Sequence, residues 1–146
     1  CVEKLVKKFP QQIVGVKDSS YNLYENLKIE NFSVLPGSEL KLLKGLEIGC
    51  SGIITATCNV TAAISRKVYD DYKSNKLQTA NEMLCNVRNV FDQFNLISGL
   101  HSFMLDEDII YKNILPPISL LCKKDKIKLI EDLNKLNFKL ESLRAA

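Results

Sequence analysis

Lys17 is the residue whose position asks for a chemical explanation. It closes the apolar run Ile13-Val14-Gly15-Val16-Lys17 and is followed by the polar turn Asp18-Ser19-Ser20. Strand alternation puts Ile13, Gly15 and Lys17 on one face and Val14 and Val16 on the other. An amine at such a strand end is expected near low-dielectric surroundings, which disfavour the ammonium and leave more free amine to attack a carbonyl. Gly15 leaves space on the same face. Periodicity alone favours the plainer reading, a strand-end lysine that simply reaches solvent.

Other chemistries find less support. The single histidine, His101, is far in sequence from the strand ends and reads as a packing or surface residue. Cys1, Cys50, Cys58, Cys85 and Cys122 include no C-x-x-C pair, and no His, Cys and carboxylate cluster has metal-ligand spacing, so no metal site is expected. No glycine-rich phosphate loop is present. An odd number of widely spaced cysteines, with no visible targeting segment, predicts free thiols in a reducing, cytoplasmic compartment. The net charge of +3 is too small, and the basic residues too dispersed, to argue for nucleic acid or a membrane surface. No apolar run approaches the roughly 20 residues that span a bilayer.

The elements that must position Lys17 follow from the pattern around it. Two more β-branched, apolar runs end in small polar turns: Phe32-Ser33-Val34-Leu35-Pro36 before Gly37-Ser38-Glu39, and Ser51-Gly52-Ile53-Ile54-Thr55 before Ala56-Thr57-Cys58-Asn59. Lys17, Pro36 and Thr55 close the three runs at equal intervals of 19 residues. Helices are expected over 21–28 and 39–48, the second stopped by Gly49. Strands alternating with helices at this spacing predict βα units, a parallel sheet and all strand ends on one side.

After Asn59 the pattern is helical, with helices expected over 61–73, 77–96, 98–113 and 124–138, interrupted at Leu115-Pro116-Pro117. Residues 1–8 read as the end of a helix entering the first strand. Three parallel strands that read as buried on both faces want neighbours. Together with a first residue that is Cys and not Met, this predicts the back half of a larger α/β unit.

Ile13 to Ser20 resembles the lysine strand of the dihydrodipicolinate synthase/N-acetylneuraminate lyase family, with its G-[IV]-K-[DE]-[ST]-[ST] pattern. Val34-Leu35-Pro36-Gly37-Ser38-Glu39 is similar to that family's seventh strand and G-x-[DE] turn. Gly49 to Val60 is similar to its eighth, G-x-x-G-[IV]-I-[ST]-x-x-x-N-[IV]. The three motifs stand in order at the family's spacing, and with the helices after Asn59, which are similar to the family's C-terminal helical extension, the resemblance covers nearly the whole chain.

The resemblance implies an α/β fold, the C-terminal part of a (β/α)8 TIM barrel (strands 6–8) followed by a C-terminal helical extension. Residues 1–59 would be the last three βα units and 60–146 the last barrel helix and the extension. It implies a class I aldolase or lyase in which Lys17 forms a Schiff base with pyruvate or another 2-oxo acid and a C–C bond forms or breaks. No cofactor beyond that covalent imine is implied. The Ile54 backbone carbonyl would line the pyruvate pocket, and Thr55, Gly37, Ser38 and Glu39 would surround the second substrate. The same turn residues admit a plainer reading: Gly37 supplies permissive backbone angles, and Ser38 and Glu39 cap the next helix. Asp18 would tune Lys17 or face a neighbouring helix.

The proton-relay tyrosine and the carboxylate-binding Thr loop of the family belong to the first half of the barrel. These 146 residues by themselves are therefore expected to be inactive without the missing N-terminal half of the barrel. The resemblance also suggests a homo-oligomer. Two departures bear on substrate: 104–112 lacks the N-P-x-P-x-K stretch of the synthase branch, and Thr55-Ala56-Thr57-Cys58-Asn59 replaces the G-S-T-Y-N of the sialic acid lyases. A non-catalytic half-barrel, or a family member turned to binding or structure, is the alternative.

Overall fold

The computed structural model describes residues 1–140; the final residues of the expected helical extension, 141–146, lie outside the described residues. Strand β1 (Gly15–Asp18) and strand β2 (Ser33–Pro36) pair in parallel, with Gly15 opposite Ser33 and Lys17 opposite Leu35. The alternation expected from sequence holds. Asp18, Val34 and Pro36 are buried on one face, whereas Lys17 on the other face is exposed. On the covered face Val34 packs with Tyr24 and Cys50. Helix α1 (Val2–Lys8) precedes β1 and buries none of its residues.

The expected helix over 21–28 does not form. The Asp18 carboxylate, buried at the end of β1, accepts the backbone N–H groups of Ser20 (3.1 Å), Tyr21 (2.9 Å), Leu23 (2.9 Å) and Tyr24 (2.9 Å). Four donors gathered on one carboxylate hold the chain in turns, a local bonding pattern that competes with the helical ladder.

The next element comes out closer to expectation. Ser38 accepts the Leu40 N–H and caps a 3-10 turn, Glu39–Lys41, which runs into helix α2 (Leu42–Glu47). Gly49, at φ +94°, provides the stop.

The third run is not a regular strand. Ser51 N–H donates to the Val34 carbonyl (3.2 Å) and Ile54 N–H to the Pro36 carbonyl (3.1 Å). Three residues thus match two on β2, with the extra length taken up beside Gly52 at φ +149°. That backbone conformation suits glycine, and the mismatch behaves as a bulge that re-aims the segment before Thr55. The sheet of the described residues has two strands, with 51–54 hydrogen-bonded along its edge.

The rest is helical: α3 (Cys58–Lys73), α4 (Asn81–Phe91), α5 (Leu96–Met104) and α6 (Lys123–Lys135). The single helix expected over 77–96 is cut short because the Asn95 side chain accepts the Ser98 N–H (3.1 Å) and starts α5. The helix expected over 98–113 divides likewise: Asp108 caps a separate 3-10 turn, Ile109–Lys112. The main core lies among these helices and contains Val60, Val87, Phe91, Leu100, Leu129 and Leu133. Phe91 meets Phe103 edge to face at 5.9 Å. A second cluster, Leu42, Leu46, Val68 and Leu84, fastens α2 to α3 and α4. Each such buried side chain contributes about 1.5–3 kcal/mol, so the helical part carries most of the stability.

Candidate functional site

β1 and β2 end together, and a backbone bond ties their following turns: Gly37 N–H donates to the Asp18 carbonyl (3.0 Å). A Cβ on Gly37 would lie 3.3 Å from Ser19 Oγ, so a small residue suits this close approach. Gly15 is more constrained, since a Cβ there would meet the Ser33 carbonyl oxygen at 2.8 Å. The glycine read as open space beside Lys17 is thus where two strand backbones come together.

Lys17 stands at this end of the sheet on the uncovered face. Among the described residues it makes no hydrogen bond or ion pair with another side chain, and it is exposed. The low-dielectric surroundings expected for it, and burial of the strands on both faces, are not what the structure has. The physical reason is packing: Tyr24, Cys50 and α2 cover one face, and no element among the described residues covers the other. Ile54, 48% exposed, belongs to the adjoining segment. Among the described residues no hydrogen-bond donor reaches its carbonyl.

The remaining candidates sit deeper. Ser38 is buried and serves as a cap. Glu39 is fully buried and both its oxygens are engaged. Oε1 accepts from Thr61 Oγ1 (3.0 Å), and Oε2 accepts from Thr55 Oγ1 (3.0 Å) and Arg88 Nη1 (3.0 Å). Arg88 Nη1 also reaches Thr55 Oγ1 (3.0 Å) and Thr57 Oγ1 (3.2 Å), and Nε donates to Asp92 (2.8 Å). Burial opposes the Arg88 charge, but the hydrogen bonds to Asp92 and Glu39 hold its pKa above the usual value. The structure therefore brings Thr55 and Glu39 together below the rim and leaves Lys17 and Ile54 on it.

Arg88, Thr57 and Thr61 were not singled out by sequence reasoning. A signal existed for Arg88: it lies four residues from Leu84 and beside Val87 on the buried stripe of α4, where a lone charge demands a partner. Asp18 proves to be the organiser of the 19–24 turn. Burial pushes its carboxyl up, but the hydrogen bonds from Tyr24, Ser20 and Leu23 outweigh burial and hold the pKa below the ordinary aspartate value.

Other polar groups do not extend the site. His101 Nδ1 lies 3.0 Å from the Tyr111 carbonyl, and its ring stands edge-on to Tyr111. Burial pushes the Cys58 thiol up, which works against a thiolate nucleophile. The cysteines are free. Among the described residues no group of three His, Cys, Asp or Glu side chains could hold a metal ion, and no helix is long and apolar enough to cross a membrane.

Comparison with known proteins gives these features a context. A sequence model of the dihydrodipicolinate synthetase family matches residues 1–136. Among curated proteins none matches. Solved structures share the fold. The 4-hydroxy-tetrahydrodipicolinate synthase of Methylacidiphilum fumariolicum SolV superposes with a TM-score of 0.80 at 18% identity, over 94% of this chain and 49% of that one. The dihydrodipicolinate synthase of Aquifex aeolicus gives 0.79 at 20% identity, over 97% of this chain and 52% of that one. A prophage protein of the dihydrodipicolinic acid synthase family from E. coli K12, solved in complex with pyruvate, gives 0.76 at 20% identity, over 94% of this chain and 50% of that one. The chain thus spans about half the length of these structures.

Proposed function

The chain belongs to the dihydrodipicolinate synthetase family, and on that premise we propose that it carries the amine side of a Schiff-base lyase site, with Lys17 as the nucleophile. The family is one of lyases. The observation that carries the finer reading is the placement of Lys17: an amine with no partner among the described residues, at the shared end of two parallel strands, on the face that those residues leave open. Chemistry in parallel α/β sheets belongs at this end of the strands.

In this reading residues 1–59 supply strands six to eight of a (β/α)8 barrel, the third as the bulged segment 51–54, and residues from 60 onward supply the last barrel helix and the helical extension. The strands on the far side of Lys17 come from the rest of the barrel. They supply the desolvation that this chain does not, and so favour the free amine.

The free amine of Lys17 attacks the ketone carbon of pyruvate or another 2-oxo acid. The carbinolamine expels water, with the proton it needs delivered by a group outside this chain, and leaves a protonated imine. The imine withdraws electrons from the neighbouring carbon. Loss of a proton there gives an enamine that adds to an aldehyde, and the reverse sequence cleaves the C–C bond. The Ile54 carbonyl and the Gly37 turn border the bound acid. Glu39 and Thr55 act from beneath, because their polar atoms are already bonded to one another and to Arg88. No cofactor enters these steps. The intact protein is read as cytoplasmic and as a homo-oligomer.

Pyruvate and borohydride test this on the intact protein. Reduction is expected to fix a pyruvyl group on the peptide that holds Lys17. No adduct there, at pyruvate concentrations that label a known Schiff-base aldolase, would refute the reading and leave a binding or structural protein on the same fold.

A further inference from the structure

The polar cluster around Glu39 joins two parts of the chain that are far apart in sequence, and counting its protons shows what it can do. Thr55 Oγ carries one hydrogen, and the carboxylate Oε2 of Glu39 at 3.0 Å takes it. Thr55 Oγ then has two lone pairs for three neighbouring donors, Arg88 Nη1 (3.0 Å), the Thr57 hydroxyl (3.0 Å) and, farthest, the Thr57 N–H (3.3 Å), so it is filled by the first two and only grazed by the third. With its proton given to Thr55, Thr57 Oγ accepts from Arg88 Nη1 (3.2 Å). Nη1 has two hydrogens for three acceptors, so one hydrogen is shared. The Thr55 hydroxyl is saturated and is not free to bind substrate. Thr57 is fully buried, so what the 54–57 segment can offer at the rim is backbone, above all the Ile54 carbonyl, which no donor among the described residues reaches.

A backbone acceptor is only as well placed as the segment that carries it. The bulge at Gly52 breaks the strand ladder immediately before Ile54, so that past Ser51 one backbone bond among the described residues, Ile54 N–H to the Pro36 carbonyl, anchors the segment to β2. The rest of the anchoring comes from the cluster. Its one cation comes from α4, which also buries Leu84, Val87 and Phe91 in the helical core.

We propose that Arg88 is a positioning residue, which fixes the 54–57 turn from the helical half of the chain through Glu39, Thr55 and Thr57, and so holds the Ile54 carbonyl where a 2-oxo acid meets Lys17. This rests on the Schiff-base reading above. Lysine at 88 would keep the charge beside Glu39, but its single ammonium cannot replace a guanidinium that bonds Asp92 through Nε while Nη1 bonds the other three groups.

Two variants of the intact protein test this, Arg88→Lys and the doubly neutral Glu39→Gln/Arg88→Met. Two readouts are taken: hydrogen exchange of the 54–57 amides, and the pyruvate concentration that gives half-maximal borohydride labelling of Lys17. Both variants are expected to speed exchange at 54–57 and to raise the half-saturating pyruvate about tenfold, since small misplacements of a binding group are strongly felt. The double variant removes both buried charges together. A purely stabilising role predicts that whichever variant keeps the wild-type melting temperature also keeps wild-type half-saturation, and that result would overturn the proposal. So would unchanged exchange at 54–57. Absence of any adduct in the wild-type protein would instead overturn the Schiff-base reading, and this inference with it, so the two failures are told apart.

Discussion

Lys17 and Arg88 are both cations, and the molecule treats them in opposite ways. Lys17 stands on an uncovered sheet face, in a region where Ile54 is also 48% exposed. Arg88 has 9% of its side chain accessible, pairs with Glu39 and Asp92, and is surrounded by threonine hydroxyls. Arg88 is closed off by partners from both halves, Glu39, Thr55 and Thr57 from the sheet half and Asp92 from the end of α4, and the helical half buries an apolar core. The sheet half finishes one face and leaves the other, with its amine, to something outside these residues. On the Schiff-base reading, stability and chemistry fall to different parts of the chain: a buried charge must be satisfied to be tolerated, whereas a nucleophile must be left unsatisfied to react.

The contrast breaks most sharply at Lys17. Replacement by alanine is expected to abolish borohydride labelling and to lower turnover of the intact protein by about 10³-fold or more, because on the Schiff-base reading the imine forms on Lys17. The melting temperature is not expected to fall, since an amine that the rest of the barrel desolvates and that has no partner among the described residues contributes no stability for alanine to lose. A large loss of stability in K17A would mean that Lys17 is structural. Arginine at 17 keeps the charge but cannot form the imine, so it should be as inactive as alanine.

Arg88 answers from the other side. Glu39→Ala leaves a guanidinium with only Asp92 as counter-charge, and breaking a buried pair in this way costs about 3–5 kcal/mol. Thermal denaturation should show a clear fall in melting temperature, and Glu39→Gln/Arg88→Met should recover much of it because neither charge is then stranded. A cost in E39A below about 1 kcal/mol, the range of solvent-exposed pairs, would mean that water enters the cluster and that the two cations are less different than their accessibilities suggest.

The same division decides what could be read from sequence. Strand-end positions were legible because apolar runs closed by Lys17, Pro36 and Thr55 recur at a fixed interval, and because alternation separates Lys17 from Val16 whatever packs on either side. The family was legible for the same reason, from local motifs that the family match over 1–136 bears out. What escaped was non-local or competitive. Nothing in the run 51–55 reveals that Gly52 breaks the ladder, and nothing in 21–28 reveals that Asp18 gathers the backbone donors a helix would use. Helix boundaries at Asn95 and Asp108 depended on side-chain caps inside what reads as continuous helical periodicity. Arg88 is 49 residues from Glu39, a pairing that only the packed fold establishes. Desolvation of Lys17 was inferred from the strand pattern, but desolvation depends on covering elements, and the described residues supply none over that face.

Asp18 offers the finest test, because it is next in sequence to Lys17 yet belongs to the closed class. It is 1% exposed and holds the turn that links β1 to Tyr24. Asp18→Asn keeps one acceptor oxygen but turns an amide N–H₂ toward N–H donors, at a cost of about 1–3 kcal/mol. The pH dependence identifies the carboxylate as the cause. The folded-state pKa lies below the ordinary value of 3.8. Its contribution is therefore complete above the unfolded-state value, declines as the pH falls below it, and is gone once the folded-state pKa is passed. The wild-type protein should lose stability on acidification through this range while D18N loses less, so the two melting temperatures should converge as the pH drops. Parallel curves would show that the 19–24 turn is held by packing around Tyr24 rather than by the charge of Asp18, and the line between open and closed polar groups would then fall on β1 itself.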